Sequence, residues 1–152
     1  MTTLTSEDRV EIIDACTRMA WCIDGRDWAS LTDLLADRVM VDYSSTFGDP
    51  AVEVSARSFV RTLSSVLDHL TATQHLVASH VVAADGDGAT CVSNVQATHL
   101  LDNRTGDSLW TAAGKYKMTF SRTPEGWRIA GVAFSQAWAT GNREVMRLAG
   151  RI

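Results

Sequence analysis

Thr73-Gln74-His75-Leu76-Val77-Ala78-Ser79-His80-Val81-Val82-Ala83-Ala84 is the stretch where the chain changes period. Upstream, apolar residues recur about every 3.6 residues; from here on they alternate, so side chains take turns on two faces of a strand. Asp85-Gly86-Asp87-Gly88 supplies a hairpin turn. Residues 89–101 return as a second long strand, and a looser turn at 103–107 leads to a third over 109–122. Thr123-Pro124-Glu125-Gly126 turns again into a fourth, from Trp127 to Trp138. The tail after Asn142 is short, a helical stub or an unstructured end.

Before the strands the pattern is helical. Thr5 and Ser6 followed by Glu7 and Asp8 place acceptors and negative charge at a helix start. Val10, Ile13, Cys16, Ala20 and Ile23, widened by Ile12 and Met19, form the stripe of a first helix ending near Asp24, with Gly25 as its left-handed cap. Asp27 caps a shorter helix carrying Trp28, Leu31, Leu34 and Leu35. Val39 to Tyr43 reads as a strand, residues 44–53 as a loop, and Phe59, Leu63, Val66, Leu67 and Leu70 mark a third helix. Helices followed by an antiparallel meander predict an α+β fold: a cone-shaped, strongly curved, mixed or antiparallel sheet, with three N-terminal helices closing an internal pocket. The 152 residues fit one domain over 1–152.

The net charge of −4 and scattered basic residues argue against nucleic acid or an anionic membrane as partner. Cys16, Cys22 and Cys91 lack metal-ligand spacing and sit among apolar residues, which favours a reducing, cytoplasmic setting, no metal and no disulfide. The first residues lack the basic and apolar regions of a signal peptide, and no apolar run reaches membrane-spanning length. There is no nucleophile elbow and no glycine-rich phosphate loop. What remains is acid–base chemistry by His, Asp and Tyr without a cofactor. Asp24 shares the core-facing side of its helix and, ionised, needs a partner there; Arg26 is one option. Alternation puts His75 with Val77 and Ser79 on one strand face, opposite Gln74, Leu76, Ala78 and His80. Cys91, Ser93, Val95, Ala97 and His99 share a face of the next strand.

The run Ile23-Asp24-Gly25-Arg26-Asp27-Trp28 through Leu31, with Val41-Asp42-Tyr43 and Thr73-Gln74-His75, resembles the SnoaL-like branch of the nuclear transport factor 2-like superfamily. Within it the similarity is greatest to scytalone dehydratase and its bacterial relatives, in element order nearly to the end, through Gly126-Trp127-Arg128-Ile129. The resemblance implies Asp24 as acidic partner, Tyr43 as pocket tyrosine, His75 as catalytic histidine and His99 as a second histidine. Two departures accompany it. The family dehydratase has a second tyrosine just before its aspartate, where this chain has Ile23. Its serine and asparagine on the third long strand are replaced by Gly114 and Tyr116.

These implications define an expected reaction: loss of water from a carbon β to a carbonyl, with His75 moving the proton and Tyr43 donating to the enolate-like oxygen. The expected substrate is a small, largely apolar carbonyl metabolite. Trp21, Phe47, Phe59, Leu63, Tyr116, Met118, Phe134 and Trp138 are the expected binding wall. The alternatives are an isomerase or cyclase using the same enolate, and a binding or assembly module in which Asp24, His75 and His99 only stabilise the core. A homodimer or homotrimer is expected, because the sheet's outer face needs cover.

Overall fold

A computed structural model of the chain describes residues 3–102 and 106–150. The elements run α1 (Ser6–Gly25), α2 (Trp28–Leu34), β1 (Leu35–Asp42), α3 (Ser44–Phe47), β2 (Val52–Ser55), α4 (Ala56–Leu67), β3 (Ala72–Asp85), β4 (Gly88–Leu100), β5 (Leu109–Thr123), β6 (Gly126–Gly141) and α5 (Glu144–Ala149). The expected turn at 103–107 lies largely outside the described residues.

Six strands form one curved, open sheet in the order β2-β1-β6-β5-β4-β3. The hairpins β3-β4, β4-β5 and β5-β6 are antiparallel, while β1 runs parallel to β6, so the sheet is mixed. The helices cover its concave side, giving the expected α+β cone. Long strands make this curvature possible, because right-handed twist accumulates along them and bulges bend them locally.

Helix α1 begins at a capping box: Thr5 Oγ1 accepts from the Asp8 amide at 3.1 Å, and Asp8 accepts from the Thr5 amide at 2.8 Å. Asp8 also accepts from Trp127 Nε1 and Arg122 Nη2, each at 2.9 Å, which ties the start of α1 to the hairpin at the narrow end of the cone. The buried face of α1 is Ile12, Ala15, Cys16, Met19, Ala20, Cys22 and Ile23. It holds five of the seven expected stripe residues; Ile13 is half-buried and Val10 lies exposed.

Three local features depart from the sequence reading. The left-handed cap of α1 is Arg26, at φ 57°, not Gly25. The stretch 44–53, expected as a loop, holds α3 and the start of β2, whereas the tail takes the expected helical option as α5. Ser79, at φ 60°, sits in a bulge between Ala78 and Val81. The extra residue reverses the alternation beyond it: Val81 points outward while His80 is half-buried, with its Nε2 enclosed.

Candidate active site

Asp24 occupies the last turn of α1, where the helix dipole disfavours an anion. Its carboxylate is nevertheless saturated by β3. Oδ2 accepts from the His75 amide at 2.8 Å, Oδ1 meets His75 Nδ1 at 2.7 Å, and Thr73 Oγ1 donates to Oδ1 at 3.0 Å. Burial alone would raise the carboxyl; the hydrogen bonds from His75 and Thr73 outweigh it and hold Asp24 below its ordinary value. A carboxylate can only accept, so His75 Nδ1 carries the proton and Nε2 is left free.

Arg26 is a residue the sequence reading missed in this role. It does not pair with Asp24 directly. Its Nη1 donates to Thr73 Oγ1 at 2.8 Å and to the Ile23 carbonyl at 2.6 Å, and its Nε lies 3.9 Å from Asp68 Oδ1. The left-handed backbone of Arg26 aims the guanidinium back across the helix end, where carbonyls lack intrahelical partners. Thr73 donates to Asp24, whose carboxylate can only accept, while its own oxygen accepts from Arg26. Arg26, through Thr73, thus braces the Asp24 carboxylate that His75 meets.

His99, on β4, stands beside His75 with ring centroids 5.9 Å apart in an edge-on arrangement, and its ring lies 5.2 Å from Trp110. Its Nδ1 is 3.3 Å from the Trp110 carbonyl. A carbonyl accepts only, so Nδ1–H is the donor and Nε2 is an acceptor. Burial, with the neighbouring His75 adding to it, pushes His99 down to about 4, so it is neutral near pH 7.

A largely apolar cavity of about 500 Å³ opens in front of these groups. Tyr43, His75, His99 and Tyr116 line it together with Phe47, Phe59, Leu63 and Phe134. Its other walls, not foreseen in the sequence, include Ile23, Val41, Ala97, Trp110 and Met146. The last comes from α5, which Arg143 fastens to α3 by donating to the Thr46 carbonyl. Ser45 pins α3 to β6, donating to the Phe134 carbonyl at 2.8 Å and accepting from the Gln136 amide at 2.9 Å.

Four expected placements are corrected. Asp24 does not line the cavity. It stands behind His75, with 23 % of its side chain exposed toward a groove between α1 and β3, against 7 % for His75. Trp21 is 76 % exposed in that outer groove, because it lies about 200° around α1 from the buried Met19 and Ile23. Met118 is 1 % exposed and belongs to the packed core nearer the narrow end. Trp138 is 48 % exposed on the other sheet face. Ala113 pairs with Trp138 but Gly114 with Gln136, so Ala137 is an extra residue that flips every side chain beyond it.

Residues 4–133 match the family described as the SnoaL-like domain. The chain belongs to that family, within the nuclear transport factor 2-like superfamily. Among solved structures, a Kribbella flavida protein is similar to this SnoaL-like chain at 28 % identity and TM-score 0.87, covering 93 % of this chain and 97 % of that one. A candidate scytalone dehydratase from Novosphingobium aromaticivorans matches at 16 % identity and TM-score 0.73, over 91 % and 93 %. A hexachlorocyclohexane dehydrochlorinase matches at 14 % and TM-score 0.74, again over 91 % and 93 %. The last two likenesses concern the fold. No curated protein matches the chain. Among the described residues no helix is long and apolar enough to cross a membrane, and no group of His, Cys, Asp and Glu could hold a metal ion.

Proposed function

We propose that this SnoaL-like chain is a cofactor-independent acid–base lyase that eliminates water from a small, largely apolar β-hydroxy carbonyl compound. The observation that carries the reading is the His75–Asp24 pair, with His75 Nε2 free at the wall of an apolar cavity. His75 Nε2 takes the proton α to the carbonyl, and the Asp24 carboxylate stabilises the imidazolium that forms. Phenols of Tyr43 and Tyr116 stand in the same cavity to meet the oxygen that becomes enolate-like. The imidazolium then returns its proton to the departing hydroxyl, so water leaves and the base is regenerated.

The leaving group follows from the lining. Among the described lining residues there is no lysine or arginine, so a departing anion has no permanent cation to meet, and the one charge that forms, the His75 imidazolium, carries a transferable proton. Departure with a proton fits this site better than departure as a halide, the leaving group implied by the name of the dehydrochlorinase relative. Incubating the protein with a panel of β-hydroxy ketones and following loss of water by mass tests the proposal. A product of unchanged mass makes the protein an isomerase or cyclase; no product across the panel refutes the lyase reading.

Two further readings stand beside this one. The chain works in the cytoplasm, a setting that suits three buried, unpaired cysteines. It also assembles as a homodimer or homotrimer through the outer sheet face, where Leu76, Val81, Leu109 and Trp138 lie exposed.

A further inference from the structure

One hydroxyl connects the Asp24 carboxylate to a cation. Thr73 Oγ1 donates to Asp24 Oδ1 at 3.0 Å and accepts from Arg26 Nη1 at 2.8 Å, and the same Oδ1 meets His75 Nδ1 at 2.7 Å. Two donors thus compete for the electron density of a single oxygen. Behind Arg26 stands Asp68, 3.9 Å from its Nε, and Asp68 accepts from Trp28 Nε1 at 3.0 Å. Asp24, Arg26 and Thr73 all lie outside the cavity lining.

The backbone of Arg26 points to a role beyond capping the helix. Its φ of 57° is a conformation that glycine adopts freely and a residue with a Cβ adopts only at a cost. The cap requires only the left-handed backbone, whose amide donates to the Cys22 and Ile23 carbonyls. What arginine adds is the guanidinium, whose Nη1 joins the Ile23 carbonyl, at 2.6 Å, to Thr73.

We propose that Arg26, acting through the Thr73 hydroxyl, draws charge from Asp24 Oδ1 and so weakens the hold of the carboxylate on the His75 imidazolium, which frees the imidazolium to return its proton. Arg26 and Thr73 are then positioning residues that set the balance of the pair. The benefit to proton return rests on the lyase reading above; the effect on the pair does not.

The chemistry needs such a balance. His75 has to take a proton from carbon and then give it up. A carboxylate with its full charge on Oδ1 favours the first step and opposes the second. An arginine N–H on the Thr73 oxygen polarises the hydroxyl, which strengthens its bond to Oδ1 and leaves less charge for the ring. In the return step the Nε2–H electron pair goes back to the ring nitrogen. The proton joins the departing oxygen, the C–O pair leaves with it as water, and neither Thr73 nor Arg26 loses a proton. The other ionisable groups lining the cavity with His75 are Tyr43, Asp49, His99 and Tyr116. All four stay unaltered in the variants that follow.

Arg26→Gly and Thr73→Val remove the guanidinium and the hydroxyl separately. Glycine suits the left-handed cap and valine keeps a branched strand side chain, so both are expected to fold. The titration of the His75 ring, followed by NMR on protein with carbon-13-labelled histidine, is expected to move up by about half to one pH unit in each. The double variant is expected to match the single ones, because both act along one path. Turnover of a β-hydroxy ketone is expected to fall about 3–10-fold with KM unchanged, the worth of one hydrogen bond. A brace that only holds Asp24 in place has the opposite sign, since a loosened carboxylate supports the imidazolium less. A downward or absent shift therefore overturns the proposal. Additive shifts overturn it too, because Arg26 would then act outside Thr73. If Thr73→Val loosens β3, Arg26→Gly alone decides the sign. Upward shifts in a protein that turns over no hydroxy ketone leave the relay standing while the lyase reading fails.

Discussion

Replacing His99 with Phe should change how stability depends on pH more than it changes stability near neutrality. The ring keeps its packing against Trp110, 5.2 Å away, but loses the titrating nitrogen. Burial holds His99 at about 4 in the folded protein, against 6.5 when unperturbed. Below pH 6.5 the unfolded chain therefore takes up a proton that the folded chain refuses until about pH 4. The stabilisation is present above the unfolded value and is lost as pH falls. At about 1.4 kcal/mol for each tenfold change in proton affinity, the loss between neutrality and pH 4.5 comes to roughly 2–3 kcal/mol. For a chain of this size that is a fall in melting temperature of roughly 5–12 °C. Urea unfolding at pH 7, 5.5 and 4.5 measures it. The variant starts lower at pH 7, because the Trp110 carbonyl loses its donor, yet its stability falls less steeply on acidification. Parallel decline of both proteins over this interval would show that His99 is not held neutral, and the tautomer argument would go with it.

Asp24→Asn should cut turnover by about 10²-fold or more while leaving the fold, because the imidazolium loses its counter-charge but not its neighbours; paired rate and melting measurements check this. The lowered Asp24 titration adds stability that is present at neutral pH and lost only as pH falls through the folded carboxyl value, below the His99 window. Gly114→Ala should destabilise by roughly 1–3 kcal/mol in urea, since an added Cβ would collide with the Ser135 carbonyl oxygen beside the β6 bulge. Light scattering at micromolar concentration should give a dimer or trimer mass, and Trp138→Ser should shift it toward monomer; a monomer mass in the unaltered protein refutes assembly through that face.

The fold was legible because its signals are periodic and mutually consistent. The change at Thr73 from helical spacing to alternation, and the glycine turns that follow, mark the β3-to-β6 meander to within three residues. Short elements escaped. α3, of four residues, is too brief for a period, β2 follows the turn residues around Gly48 and Pro50, and the six-residue α5 leaves a choice between a helical stub and an unstructured end. The site divided in the same way. His75 and His99 were readable from strand parity because β3 and β4 pair without interruption between His75↔Ala97 and Thr73↔His99. Trp138 was not, because a bulge is a tertiary event that a two-residue alternation does not record. Trp21 and Met118 fell outside the cavity for want of depth information: one faces away from the sheet, the other lies below the cavity floor. Arg26 was hidden behind Gly25, the residue expected to take the left-handed conformation, whereas hydrogen bonds to Ile23 and Thr73 place it on Arg26.

The most direct test is the turnover of a β-hydroxy ketone by His75→Ala, measured beside its melting temperature. Proton transfer by His75 predicts a folded variant whose rate falls by about 10²–10⁴-fold, since water fills the vacated space but cannot replace the base. A folded variant within about threefold of the unaltered rate would contradict it, and so would a variant that fails to fold, which would make His75 a structural partner of Asp24.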